Sequence, residues 1–509
     1  MTYETVIGLE IHAELSTKTK AFCACGYRFG AEVNTQCCPT CLGWPEASPV
    51  LNKSVVEYAI RLGLAADCTV NRVNTFFRKH YFYPDLPKGY QITQGERPIC
   101  QIGRIEFFHR GEKRAVRINR IHIEEDTAKL LHDDAFKGTL LDFNRCGVPL
   151  LEIVTEPDLR GPDEVRDFLE AVRTLLVTLG ISSGRMQEGV MRCDVNVSVR
   201  PLGQEKHNPR IEMKNVNTFS GAAQAAAYES KRQAEMLERG ETYTQETRRW
   251  DEQKAETQPM RSKGDAADYR MFPDPDLPPI VLDDAWINEI KSALPELPVP
   301  KYERYINMGI AAAEAEMLTA QPERAAFLDA CAAIGGAEPR GIAHWLFGAV
   351  SALHNRFGLP FEVSPITPQN LCDVLRMIEK GRINIDAGKR VLEEMFMASG
   401  KDSEADSEVD TGTNSEVNSE EPSRTDSKAS SKKETPDQII ARLSLEQVSD
   451  EALLEAMVDE VLAANAQSIT DYQNGKKNAF TYLVGQCMKA SKGKANPQMV
   501  NMIIKNKIG

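Results

Sequence analysis

VIGLEIHAEL, residues 6–15, decides how the first half of the chain is read. In an extended strand successive side chains point to opposite faces, so Glu10, His12 and Glu14 share one face while Leu9, Ile11 and Ala13 share the other. A strand apolar on one side and rich in carboxylate and imidazole on the other has two readings. It is the wetted edge of an amphipathic strand, or it is one wall of a site whose other walls come from elsewhere in the chain.

Outward from this strand, short alternating segments such as AVRINRIHIEE (115–125) and RCDVNVSVRP (192–201) read as further strands. Between them, EVRDFLEAVRTLLVTLG and AAQAAAYESKRQAEMLERG carry apolar residues at three- and four-residue spacing and end at Gly180 and Gly240, the expected helix stops. The class is therefore α+β: a large mixed α/β domain over residues 1–293. The Pro-rich segment LPELPVPKYERY leads into an Ala- and Leu-rich helical domain over 294–400. Residues 401–436 are rich in Ser, Thr and acids and poor in apolar groups. Such a composition cannot offset its ordering entropy, and it predicts a disordered acidic linker. Helical patterning returns over 437–509 as a small, basic, all-α tail.

At 509 residues and 42% hydrophobic content the chain can fill several cores. It has no apolar run long enough to span a bilayer, and its opening MTYET lacks the basic and apolar regions of a signal peptide, so a cytoplasmic protein is expected. The formal charge of −13 argues against a nucleic-acid partner only until its distribution is considered. Residues 402–426 hold nine acids and one Arg, whereas 72–120 hold eleven Lys/Arg against four acids, and 474–509 hold seven Lys and no acid. Local patches, not the sum, govern phosphate binding.

Five of the twelve cysteines fall between residues 23 and 41. Cys23 and Cys25 form one close pair and Cys38 and Cys41 another, which suits four thiolates around one structural Zn²⁺, with Cys37 left over. The alternative is a loop of reduced thiols. A second polar group, His122, Glu124, Glu125 and Asp126, ends a strand, and Glu152, Asp194 and Glu212 with Lys214 interrupt apolar surroundings. Each alone is an ordinary solvated strand end; together they suit a hard cation and the phosphates it carries. No phosphate-binding P-loop motif occurs. RKHYFYPDLPKGYQIT interleaves Arg78, Lys79, His80 and Lys88 with Tyr81, Phe82, Tyr83 and Tyr90, a composition able to stack bases and grip phosphate, or simply to form a Pro-bounded loop.

Long stretches, among them VIGLEIHAEL, YFYPDLPKGYQIT, HIEEDTAKL, DFNRCGVPLLEIVTEPD, MRCDVNVSVRP and LVGQCMKASKGKANPQMVN, closely resemble the B subunits of tRNA-dependent amidotransferases, over nearly the whole chain. The resemblance implies a catalytic cradle domain that converts Glu-tRNA(Gln), or Asp-tRNA(Asn), to the amidated form. ATP phosphorylates the side-chain carboxylate, and ammonia from a glutaminase A subunit displaces the phosphate, with a small C subunit completing a heterotrimer. On that resemblance Glu10 and His12, with Glu125 and Glu124, would hold Mg²⁺; Lys214 would act in the same pocket; Lys79, Tyr81, Asp194 and Glu212 would face ATP or the acceptor end. The Lys-rich tail would contact the tRNA body. The zinc expectation rests on Cys23, Cys25, Cys38 and Cys41 themselves, since the quartet is not universal in that family. A different class of function stays open at this point: a non-catalytic, zinc-containing tRNA-binding scaffold, which would not require Glu10, His12 and Glu125 to converge.

Overall fold

A computed structural model describes the chain apart from residues 1, 134–137, 263–268, 406–433, 448–449 and 492–493. The expected linker lies largely among the residues not described. The described chain divides into two compact units, Met1–Lys301 and Tyr302–Gly509.

The first unit is organised by one mixed sheet. In chain order its strands and their neighbours are β1 (Tyr3–Glu14), β2 (Thr69–Val70), β3 (Phe76–His80), β4 (Tyr90–Gln94), β5 (Cys100–His109), β6 (Glu112–Glu125), β7 (Pro149–Thr155), β8 (Met191–Pro201), β9 (Ile211–Val216), β10 (Glu246–Asp251) and β11 (Glu256–Ser262). The nine-stranded sheet runs β11-β10-β9-β8-β1-β7-β6-β5-β2, while β3 and β4 pair in a small separate sheet. The opening strand is therefore the centre of the sheet, not its edge. It pairs antiparallel with β8 on one side and β7 on the other, which demands an apolar face along its whole length.

That apolar face is covered by three helices, α1 (Lys53–Ala65), α2 (Pro162–Thr178) and α3 (Phe219–Glu238). Ile7, Leu9, Ile11 and Ala13 of β1 join Leu151 and Ile153 of β7, Val195 and Val197 of β8, and Phe168, Leu169, Ala222 and Ala225 of the helices in one buried core. Helices α2 and α3 stop just before Gly180 (φ +66°) and Gly240 (φ +74°). A side chain would be strained in that left-handed conformation, which is why the chain ends both helices there. With helices on one face only, the opposite face of the sheet is free to be polar.

The second unit is helical. Pro322–Ile334, Pro339–Trp345, Pro368–Glu379 and Ile385–Ala405 bury Leu328, Cys331, Leu346, Leu371 and Phe396 among them. The closing helices, Glu451–Ala464, Lys477–Ala490 and Pro497–Ile508, gather their own apolar cluster around Val458, Leu483 and Ile504. No helix among the described residues is long and apolar enough to cross a membrane.

Candidate active site

Sheet register fixes the polar face. His12 of β1 lies opposite Glu152 of β7, and Glu152 lies opposite His122 of β6, so these three side chains form one row. One step along, Glu10 faces Asp194 of β8, and one step the other way on β6 stands Glu124. His12 Nε2 is 3.9 Å from both Glu124 Oε2 and Glu152 Oε2, and His122 Nδ1 is 3.9 Å from Glu152 Oε2. Two overlapping ligand triads result, Glu10–His12–Glu152 and His122–Glu124–Glu152, with the ligand atoms of each triad within 4.8 Å of one another.

Three carboxylates this close cannot all be ionised comfortably. Burial, then the neighbouring charges of Glu124 and Glu10, push Glu152 up to about 9. Burial alone would raise Glu124 as well, but His12, the Thr93 hydroxyl (2.7 Å), Lys79 and His122 hold it below the ordinary carboxylate range. His122 is pushed down to about 4, chiefly by burial, and its Nε2 is buried with no hydrogen-bond partner among the described residues. His122 turns its Nδ1 to the Glu152 carboxyl, and an acid whose ionisation is disfavoured beside an imidazole nitrogen is a donor set that a divalent cation would satisfy, since the cation takes the place of the proton.

The structure brings Glu10, His12 and Glu124 together as expected from sequence, and it corrects the place of Glu125. Consecutive strand residues face opposite ways, so Glu125 turns from the cluster. Its carboxylate accepts from the buried Lys88 ammonium and from the Ile92 backbone N–H at 2.8 Å. Glu152 and His122 occupy the place expected of Glu125. Their signal in the sequence is a single carboxylate inside PLLEIVT, a run apolar at both alternations, and an imidazole flanked by Ile121 and Ile123.

Lys214 donates to Asp194 at 2.5 Å and lies 3.2 Å from Glu212, which also accepts from the Thr247 hydroxyl at 2.9 Å. These three residues extend the polar face from β1 towards β10. Lys79, from β3, sits over the Tyr269 ring at 5.0 Å, close enough to influence Glu124 and His122. Tyr81 packs edge-on to the same ring at 6.5 Å, and burial pushes its hydroxyl well above the ordinary value. Both therefore stand at the β6 flank of the cluster.

The sulfurs of Cys23, Cys25, Cys38 and Cys41 lie within 4.8 Å of one another, while Cys37 turns away to the Asn34 carbonyl. Cys38 and Cys41 Sγ are 3.9 Å apart, close to the roughly 3.8 Å edge of a tetrahedron with 2.3 Å metal–sulfur bonds. A hydrogen bond from Cys23 leads in drawing Cys41 down to about 5 against its burial, helped by the Cys38 N–H and the ammonium of Lys20. Lys20 is fully buried with its Nζ 3.7 Å from Cys41 Sγ, a cation placed against a concentration of thiolate charge. The quartet can hold a metal ion and is compatible with structural zinc.

Comparison with known proteins places the chain in a family. Residues 5–288 match the GatB/GatE catalytic domain, and residues 326–409 and 426–508 match the GatB domain. The B subunit of an aspartyl/glutamyl-tRNA(Asn/Gln) amidotransferase from Caldicellulosiruptor saccharolyticus is 46% identical over 100% of this chain and 99% of its own length. Those of Thermoanaerobacter pseudethanolicus and Geotalea uraniireducens are 44% and 45% identical, each over the full length of both chains. With family matches covering both units and relatives aligned from end to end, the chain belongs to the family of amidotransferase B subunits.

Proposed function

We propose that the chain is the B subunit of a tRNA-dependent amidotransferase, activating the side-chain carboxylate of Glu misacylated on tRNA(Gln), or Asp on tRNA(Asn), and converting it to the amide. A glutaminase A subunit and a small C subunit would complete the heterotrimer. The observation that carries this reading is the convergence of Glu10, His12, Glu124, Glu152 and His122 on one face of the central strands. A carboxylate is a poor electrophile until its oxygen becomes a leaving group. Bound Mg²⁺-ATP supplies the phosphoryl group and the positive charge that screens its transfer.

The chain's own part is to hold and orient. Glu10, His12, Glu124, Glu152 and His122 would ligate the cation. Lys79 at one flank offsets the charge that the acids would otherwise set against an incoming carboxylate and phosphate. Asp194, opposite Glu10 and fixed by Lys214, stands where it can accept the proton released as nitrogen bonds to the acyl carbon and phosphate departs. Exposed Lys489 and Lys505, with exposed Tyr482, give the closing helices a basic, aromatic surface suited to the tRNA body. The cysteine quartet would hold zinc.

The test uses the complex with its A and C subunits, misacylated tRNA, ATP, Mg²⁺ and ammonium chloride, which bypasses glutamine hydrolysis. Glu10→Gln, His12→Ala and Glu152→Gln should bind tRNA yet form neither acyl phosphate nor amide. Amidation at the wild-type rate would overturn the proposal and favour a tRNA-binding scaffold.

A further inference from the structure

Beyond Lys214 the polar face continues, and no part of the reading above uses that continuation. β9 and β10 are parallel, with Lys214 opposite Arg249, and β10 and β11 are antiparallel, with Arg249 opposite Gln258. The Thr247–Glu212 hydrogen bond shows that the two strands present the same face here. A single row therefore crosses five strands: Glu10, Asp194, Lys214, Arg249, Gln258.

The two cations in this row differ. Lys214 is taken up by Asp194 and Glu212 and has little charge to offer a ligand. Arg249 is exposed and donates through Nε and Nη2 (3.3 and 2.8 Å) to the neutral amide oxygen of Gln258, with no carboxylate in ion-pair distance among the described residues. Beside it opens a cleft of about 330 Å³ lined by Asn215, Asn217, Arg249, Trp250, Asp251, Glu252 and Gln253. Asn215 holds φ +65°, a conformation costly for a residue with a side chain, and donates to the Trp250 carbonyl at 3.3 Å.

We propose that this cleft takes the terminal nucleotide of the aminoacylated acceptor strand, with Arg249 on its 5′-phosphate. The inference deepens the proposed function and rests on it. Distance selects the ligand. Arg249 stands three strands from Glu10, about 14 Å at the usual spacing, and its guanidinium is directed further away, towards β11. From the side-chain carboxyl carbon of a glutamyl ester to the 5′-phosphorus of the nucleoside that carries it are about ten bonds, roughly 12 Å when extended, and the phosphate oxygen with its hydrogen bond to a guanidinium adds about 4 Å, which closes the gap. The α-phosphorus of ATP is only four bonds from the γ-phosphorus, about 5 Å on the same scale, too short to reach Arg249 from the cation cluster.

Charge selects in the same sense. Asp251 and Glu252 on the cleft wall oppose a triphosphate far more than a singly charged diester. The amides of Asn215, Asn217 and Gln253 offer donors and acceptors to a base edge, as recognition of unpaired RNA ends requires.

The experiment measures ammonium-dependent amidation by the full complex carrying Arg249→Gln or Arg249→Lys. Its substrates are misacylated tRNA and two minimal ones, glutamyl-adenosine with and without a 5′-phosphate. Arg249→Gln should raise KM for tRNA about tenfold and reduce the salt dependence of binding by about one counterion, with KM for ATP within about twofold of wild type. Arg249→Lys should recover part of the loss. Wild type should prefer the 5′-phosphorylated minimal substrate, and Arg249→Gln should lose that preference. A change confined to the KM for ATP, or an unchanged KM for tRNA, overturns the subsite. Wild-type rates from Glu10→Gln and Glu152→Gln would instead overturn the underlying function, so the two failures are told apart.

Discussion

The carboxylate–imidazole cluster, as two overlapping triads, and the cysteine quartet both gather possible ligand atoms within 4.8 Å, yet they are assembled in opposite ways. The quartet comes from one short stretch of loop, and its charge is balanced from outside by the buried Lys20. The cluster comes from three strands, β1, β6 and β7, and its crowded charge is relieved from within, burial and the neighbouring Glu124 and Glu10 disfavouring ionisation of Glu152. A loop-built site can lose its metal and its local fold together. A sheet-built site is held by the core beneath it, so its ligands can be altered without collapse.

Metal removal puts that contrast under the greatest strain. With zinc as the proposed occupant of the quartet, a chelator or Cys41→Ser should abolish stoichiometric metal binding and expose residues 20–50 to proteolysis. Structural zinc in small sites contributes about 10 kcal/mol or more of apparent folding free energy. Metal analysis with limited proteolysis checks this, and an unchanged digest after zinc loss would show that the loop stands on its packing alone. By contrast, Glu152→Gln should leave the thermal transition of the first unit nearly unmoved, because it removes a buried carboxyl whose ionisation burial already disfavours and keeps its shape. It should lower amidation by about 10³-fold, the scale expected when charge stabilisation fails in the transition state. A comparable fall in melting temperature would mean that the cluster is structural.

The same contrast explains what the sequence made legible. The quartet is written in its spacing, and Cys37 is excluded by geometry alone. The α+β class, the two Gly-ended helices and the polar face of β1 follow from local periodicity. Glu125 does not follow, because HIEED places two acids side by side and only the register of β6 against β7 says which one faces Glu10. Opposite Leu150, Glu124 points into the cluster; opposite Pro149, Glu125 points to Lys88. Arg249 lay hidden for a similar reason: ETRRWD alternates, but its relation to Glu10 passes through two intervening strands and a bulge between Cys193 and Val195.

Glu125 in turn sharpens the comparison as a buried carboxylate paired with the Lys88 ammonium. Its side chain and that of Lys88 are 2% and 9% exposed. Glu125→Gln keeps the acceptor for Ile92 but leaves the ammonium without its counter-charge, at a cost of about 3 kcal/mol. Denaturant unfolding of the variant measures the loss, and Lys88→Met combined with Glu125→Gln should recover much of it. Failure of the double variant to recover would mean that the pair's neighbours, not its mutual charge, set the cost.

The smallest expected effect separates two histidines that look alike by burial. His354, in the second unit, is buried like His122 and packs against the Phe361 and Phe396 rings. Both of its ring nitrogens are partnered, Nδ1 with the Leu359 carbonyl at 2.9 Å and Nε2 with the Ser364 hydroxyl at 3.0 Å. His122 leaves its Nε2 without a partner among the described residues. Burial holds His354 below its ordinary value, with Arg324 adding to the effect and the Leu359 carbonyl and Glu362 opposing it. The unfolded chain therefore binds a proton at this residue more readily than the folded one, so stability rises with pH across the window below about 6.5 and is lost as pH falls towards the folded value. Thermal unfolding followed between pH 7.5 and 5 should show this slope in the transition of the second unit, and His354→Gln should flatten it. If the slope survives the substitution, the titrating group lies elsewhere. If it disappears, the slope belongs to His354, and its two satisfied nitrogens mark it as a structural imidazole.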